Sequence, residues 1–117
     1  MKYFNFHEFD SPDKPGSGHN MEEEFLELID CAREEAQTPF KITSGFRTKE
    51  HNDKVGGVEN SSHLKGCAAD ISCTSSPQRS IIVRALINVG FTRLGIAKSF
   101  IHVDNDPSKS DAIWLYS

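Results

Sequence analysis

Two histidine–carboxylate pairs hold most of the chemistry that this sequence offers. In SSHLKGCAADIS, residues 61–72, His63 and Asp70 frame Gly66, Ala68 and Ala69. In FIHVD, residues 100–104, His102 and Asp104 are two positions apart. On a strand that spacing puts them on one face, with Ile101 and Val103 on the other. A buried strand that projects an imidazole and a carboxylate together either holds an ion pair or builds a site. Two histidines and an aspartate, with water in the fourth position, make a catalytic zinc shell. Zinc held in this way lowers the pKa of its water to about 7, which gives a nucleophile at neutral pH. Ligands drawn from distant segments need rigid elements to hold them. Gly66, Ala68 and Ala69 remove side-chain bulk, so the backbone can turn tightly and pack closely between two ligands.

The elements that must position these groups can be read from pattern. Residues 21–36 form a helix: Asn20 is a good N-cap, Glu23 completes a capping box, and Glu22–Glu24 suit the helix dipole. Phe25, Leu28, Ile29, Ala32 and Ala36 give it one apolar face. Thr38-Pro39 stops it, and residues 40–43 alternate as a short strand. A short helix over 48–55 is closed by Gly56-Gly57. Residues 68–72 read as a strand, and Ser76-Pro77 opens a helix with a stripe of Ile81, Ile82, Ala85, Leu86 and Val89. Residues 93–96 and 100–104 form a strand pair around a short turn, and residues 113–116 close the chain as an edge or packing strand. Interleaved helices and a hairpin-like second half give an α+β fold, a small antiparallel sheet packed with helices.

At 117 residues the chain is expected to be a single domain, with residues 1–20 as an extended N-terminal segment and loop. A net charge of −4 argues against a nucleic-acid partner, which needs a concentrated basic face. No segment approaches the roughly 20 apolar residues of a membrane helix, so no membrane partner is expected, and the expected state is a monomer. The opening residues contain no apolar stretch of signal-peptide length, so synthesis in the cytoplasm is the expectation. Cys31, Cys67 and Cys73 form no CxxC pair and are expected as reduced thiols, the alternatives being thiolate ligands or a Cys67–Cys73 disulfide.

The pattern Ser61-x-His63-x-x-Gly66-x-Ala68-x-Asp70, followed by His102-x-Asp104, resembles the zinc D-Ala-D-Ala carboxypeptidase family. Relatives of that family include phage L-alanyl-D-glutamate endolysins, murein endopeptidases and the hedgehog signalling domain. The stretch from Ile42 to Ser72 is similar to the family's Ser-Gly-aromatic-Arg strand end leading to the first ligand, and residues 90–104 to its last ligand strand. The resemblance spans residues 40–104. It implies a hedgehog/DD-peptidase-like fold, Zn²⁺ as cofactor, and His63, Asp70 and His102 as its ligands. It implies hydrolysis of a peptide bond in peptidoglycan stem peptides or cross-links, by a carboxypeptidase or an endopeptidase, such as a phage or prophage endolysin acting on the wall after release.

The resemblance also makes Arg47 the substrate clamp or electrophile, a role that a permanently charged, planar guanidinium suits. Its alternative is a surface salt bridge with Glu50 or Asp53. Ser61 either hydrogen-bonds within the site or caps a local turn. His51 is a further candidate for substrate contact or proton transfer, whereas His7 and His19 fall outside the pattern. One departure stands out. Many family members carry an acidic general base three positions before the last histidine, where this chain has Ser99. Asp104 is the substitute: it either takes and returns the reaction's proton or orients His102 through the free ring nitrogen. Ser99 keeps open a rival reading, a catalytically inactive zinc-stabilised binding module of the same fold. A metal-free interaction domain would require His63, Asp70 and His102 to lie apart.

Overall fold

The computed structural model describes residues 1–116. Helix α1, Glu23–Ala36, buries Phe25, Leu26, Ile29 and Ala32. Its start differs from the expected capping box. Asn20 belongs to a 3₁₀ turn, Ser17–Asn20, and Glu22 is the N-cap. The reason is a tertiary bond: the Glu22 backbone N–H donates to the carbonyl of Gly66 over 2.8 Å, which pins the helix entry to the turn between His63 and the strand that carries Asp70.

Strand β1 is Ile42–Ser44, and the short helix α2 is Lys49–Lys54, capped by the Thr48 hydroxyl. Strand β2, Ala68–Ser72, is followed by helix α3, Ser76–Asn88. The Ser75 side chain, rather than Ser76, caps α3, and Ile82, Ala85 and Leu86 are the buried part of its stripe. Strands β3, Arg93–Ile96, and β4, Phe100–Asp104, pair as the expected hairpin. Strand β5 is Ala112–Leu115.

The five strands lie in the order β1-β2-β4-β3-β5. The sheet is antiparallel except at its end, where β5 runs parallel to β3. The mixed edge follows from the connection. A chain leaving β4 and turning back beyond β3 runs against β4, and therefore alongside β3.

Helices α1 and α3 pack together over the apolar sheet face made by Ala69, Ile71, Leu94, Ile101 and Val103. The opposite face carries the polar residues of interest. Residues 1–20 do more than form a loop: they make 3₁₀ turns at Phe6–Phe9 and Ser17–Asn20 and send Phe4 and Phe9 into the core. Full burial of a phenylalanine such as Phe9 contributes roughly 1.5–3 kcal/mol towards holding this segment on the domain.

All three cysteines are free, with Cys31 exposed and Cys67 and Cys73 buried. Burial, with the charges of Asp106 and Asp104, pushes the Cys67 thiol up to about 11. A thiol reagent added to native protein at neutral pH should therefore label Cys31 alone, with Cys67 and Cys73 reacting only in denaturant; peptide mapping after labelling checks this.

Candidate metal centre

The polar face is organised by strand register. Ser44 stands opposite Asp70, Asp70 opposite His102, His102 opposite Gly95, and Gly95 opposite Trp114. One transverse row thus crosses the whole sheet and carries two of the expected metal ligands at its centre.

The third expected ligand comes from the 3₁₀ turn Ser62–Lys65. Ser61 caps this turn, its hydroxyl accepting from the His63 backbone N–H at 3.2 Å. Gly66 ends it in the left-handed region, with φ of 74°. A Cβ at Gly66 would lie 2.4 Å from the Asn20 carbonyl oxygen, so glycine is required by both conformation and space. His63 Nδ1 donates to the Gly45 carbonyl over 2.7 Å, which fixes the tautomer and leaves Nε2 as the lone-pair donor. Gly45 is itself held against the N-terminal segment. A Cβ there would sit 2.6 Å from Phe9 Cα, and the next residue, Phe46, donates its N–H to the Phe9 carbonyl at 2.8 Å.

These contacts bring the expected ligands together. His63 Nε2 is 3.4 Å and His102 Nδ1 is 2.9 Å from Asp70 Oδ1. One donor atom from each of the three residues lies within 4.8 Å of the other two. Burial alone would raise the Asp70 carboxyl. Its hydrogen bonds with His102 and His63, together with their charge, hold it well below the usual carboxylate range instead. Burial would likewise depress His102, but its bonds to Asp104 and Asp70 raise it above the ordinary imidazole value.

The donor set fits a metal ion. Tetrahedral zinc with bonds of about 2.0–2.1 Å separates its ligands by roughly 3.3 Å, close to the spacing of both imidazoles from Asp70. Each histidine also has its other nitrogen occupied, His63 by Gly45 and His102 by Asp104 at 2.8 Å. That outer arrangement is characteristic of metal-bound imidazole.

Around the donors lies a cleft of about 450 Å³, with Arg47, Ser61 and Trp114 among its lining residues. Arg47 is locked into it: Nε donates to Ser44 Oγ at 3.1 Å and Nη1 to Asn52 Oδ1 at 3.2 Å, while Nη2 lies 3.7 Å from Asp70. Gly57 makes the Asn52 contact possible, since a Cβ there would come within 2.1 Å of Asn52 Oδ1. Asp104 is 1% exposed. Its Oδ2 accepts from His102, and its Oδ1 accepts from Arg93 Nε at 2.7 Å and from the Asp106 N–H at 3.1 Å. His51 is not part of this cleft; it faces a separate depression beside Pro12, Asp13 and Lys54. Ser99 is exposed in the β3–β4 turn, where its carbonyl accepts from the Cys73 N–H.

Pattern reading missed Arg93 and Asp106. Asp106 is buried and accepts from Ser62 Oγ at 2.8 Å and Lys65 Nζ at 2.9 Å, which ties the His63 turn to the segment after β4. Burial opposes its ionisation, but these bonds hold its carboxyl well below the usual range. No local motif marks it; a charged residue just beyond the ligand strand was the sole signal.

Two imidazoles and a carboxylate converging on one sheet face, beside a fixed guanidinium, define the kind of centre that metal-dependent hydrolases use. Residues 4–104 match the family model described as Peptidase M15, and the chain belongs to this zinc D-Ala-D-Ala carboxypeptidase family. The match begins well before residue 40, in keeping with the structural part that Phe4 and Phe9 play. Among curated proteins nothing matches the chain.

Trp114 is the single tryptophan, and its ring centroid lies 5.5 Å from that of His102. Titration with Co²⁺ should therefore quench tryptophan emission and saturate at one equivalent. The His102 proton competes with the metal and is held to higher pH than the ordinary value of about 6.5. Affinity should accordingly rise as pH increases through and beyond that value, and emission that never responds to metal would count against the centre.

Proposed function

We propose that this protein is a zinc-dependent peptidase that hydrolyses a peptide bond in peptidoglycan stem peptides or cross-links. The observation that carries this reading is the convergence of His63, Asp70 and His102 donors within 4.8 Å in a cleft that also holds Arg47. Zinc in that position would supply Lewis acidity towards the scissile carbonyl and acidify a water molecule. The chain's own groups do the rest. Ser44 and Asn52 fix two edges of the Arg47 fork, so Nη2 is the donor presented to a carbonyl or carboxylate oxygen of the peptide. Ser61 offers its hydroxyl from the same cleft. His63, Asp70 and His102 act as ligands, each held in orientation by a contact outside the metal shell.

Asp104 acts in this reading as a positioning residue for His102 rather than as the base. Its burial and the engagement of both oxygens support that role. The same facts give the non-catalytic zinc module its one specific support. Among the described residues lining the cleft, Asp70 and Asp104 are the carboxylates, and both are engaged.

Mass spectrometry of purified peptidoglycan peptides incubated with zinc-loaded protein separates the two readings. The peptidase should release defined fragments, and a chelator should stop it; intact peptides with zinc bound would favour the module. Arg47→Ala should lower kcat by roughly 10²–10³-fold while zinc is retained. Asp104→Asn should weaken zinc binding about 10–100-fold, measured by competition with a chromophoric chelator. Unchanged zinc affinity with lost turnover would instead make Asp104 the base.

A further inference from the structure

We infer that Lys109 is a second anion contact of the metal cleft, taking a carboxylate of the peptide that is not part of the bond cut. The inference rests on the peptidase reading above and adds to it a charge requirement on the substrate. Lys109 lies beyond residues 4–104, the stretch matched by the family.

The first observation is the charge balance of the cleft. Its charged lining sets Arg47, Arg93 and Lys109 against Asp70 and Asp104. Both carboxylates are already met. Asp104 accepts from Arg93 and His102, and Asp70 faces both imidazoles with Arg47 Nη2 at 3.7 Å. Among the described residues a positive charge is therefore left over, and a bound divalent ion enlarges that excess. A cleft lined by an excess of one sign draws in a ligand of the other.

The second observation is how Lys109 is held. Its Nζ donates to the Asn60 carbonyl at 3.0 Å and to Ser62 Oγ at 2.9 Å. Both acceptors are neutral, so they fix the ammonium without cancelling its charge. Asp106 Oδ2 stands 3.7 Å away, beyond hydrogen-bond reach. That oxygen already accepts from Ser62 Oγ and, at 2.9 Å, from Lys65 Nζ, while Oδ1 accepts from Ser108. Lys65 thus neutralises Asp106 at contact distance, and the charge of Lys109 is surplus. An ammonium carries three N–H donors, of which these bonds use two. One remains for a ligand in the cleft that Lys109 lines.

The third observation separates Lys109 from the other two cations. Arg93 is committed to the scaffold, donating to Asp104 and to the Ser110 carbonyl. Arg47 is fixed by Ser44 and Asn52, whereas Lys109 is fixed by the chain around the His63 turn. Two cations held by different elements suit a ligand with two separate acceptor groups. A peptide that offers one group to Arg47 and a free carboxylate to Lys109 fits this arrangement; the same peptide amidated at that carboxylate loses the second contact.

The test uses full-length zinc-loaded protein and synthetic stem peptides that differ only in whether each internal carboxylate is free or amidated. For wild type, amidating one internal carboxylate should raise KM about tenfold or more, the effect of losing a hydrogen bond between charged groups. Lys109→Gln, compared at full zinc occupancy, should raise KM for the free peptide by a similar factor and treat free and amidated peptides alike. Lys109→Arg should keep the preference, because the charge is retained. If wild type cuts free and amidated peptides with equal KM, or Lys109→Gln keeps the wild-type preference, the second contact is overturned and the peptidase reading stands. A KM rise in Lys109→Gln of equal size for both peptides would make Lys109 a brace of the His63 turn, which also overturns the contact. Wild-type protein that cuts no stem peptide overturns both.

Discussion

The centre is organised around one buried negative charge. Asp70 sits under two imidazoles and near a guanidinium, with its side chain largely removed from water. An ionised carboxylate in such a place is costly unless every side of it meets a donor or a cation. Much of the architecture supplies those partners. Strand β4 brings His102 into register, the turn ending at Gly66 brings His63, and the segment after β1 brings Arg47. A metal ion satisfies the same charge with a divalent cation, so the residues that form a hydrogen-bonded cluster are also those suited to coordinate.

Much of this was legible in the sequence because the informative signals are local. The spacing of His63 and Asp70, the alternation around His102, and the small residues around the start of β2 are short-range facts. The hairpin of β3 and β4 and the helices α2 and α3 follow from similarly local patterns. The departures arise where a distant contact overrides a local preference. Asn20 has the chemistry of an N-cap, yet the Gly66 carbonyl draws the chain so that the helix begins after Glu22. The parallel pairing of β5 depends on where the connection crosses, which no residue in β5 encodes by itself. Arg93 and Asp106 have ordinary surface-residue identities, and their burial against the site is purely a product of the fold.

The supporting shell shares its few residues among several tasks. Asp104 takes a bond from His102, one from Arg93 and one from the backbone of Asp106. Asp106 in turn gathers Ser62 and Lys65, while Lys109 reaches Ser62 Oγ and the Asn60 carbonyl. The turn bearing one histidine is thereby tied to the strand bearing the other through side chains with no pattern in common. Networks of this kind respond to substitution non-additively, because losing one member leaves its neighbours with unpaired buried groups.

The contact between Phe9 and Gly45 places the start of the chain within the chemistry of the centre. Phe9 packs on Gly45, whose carbonyl sets the tautomer of His63. Residues far apart in sequence thus share one chain of contacts, through which docking of the N-terminal turn sets the presentation of the His63 Nε2 lone pair. An ion bound by His63 would favour docking of the first ten residues, and the docked segment would in turn favour the ion. The amino terminus is thereby part of the scaffold of the candidate metal centre.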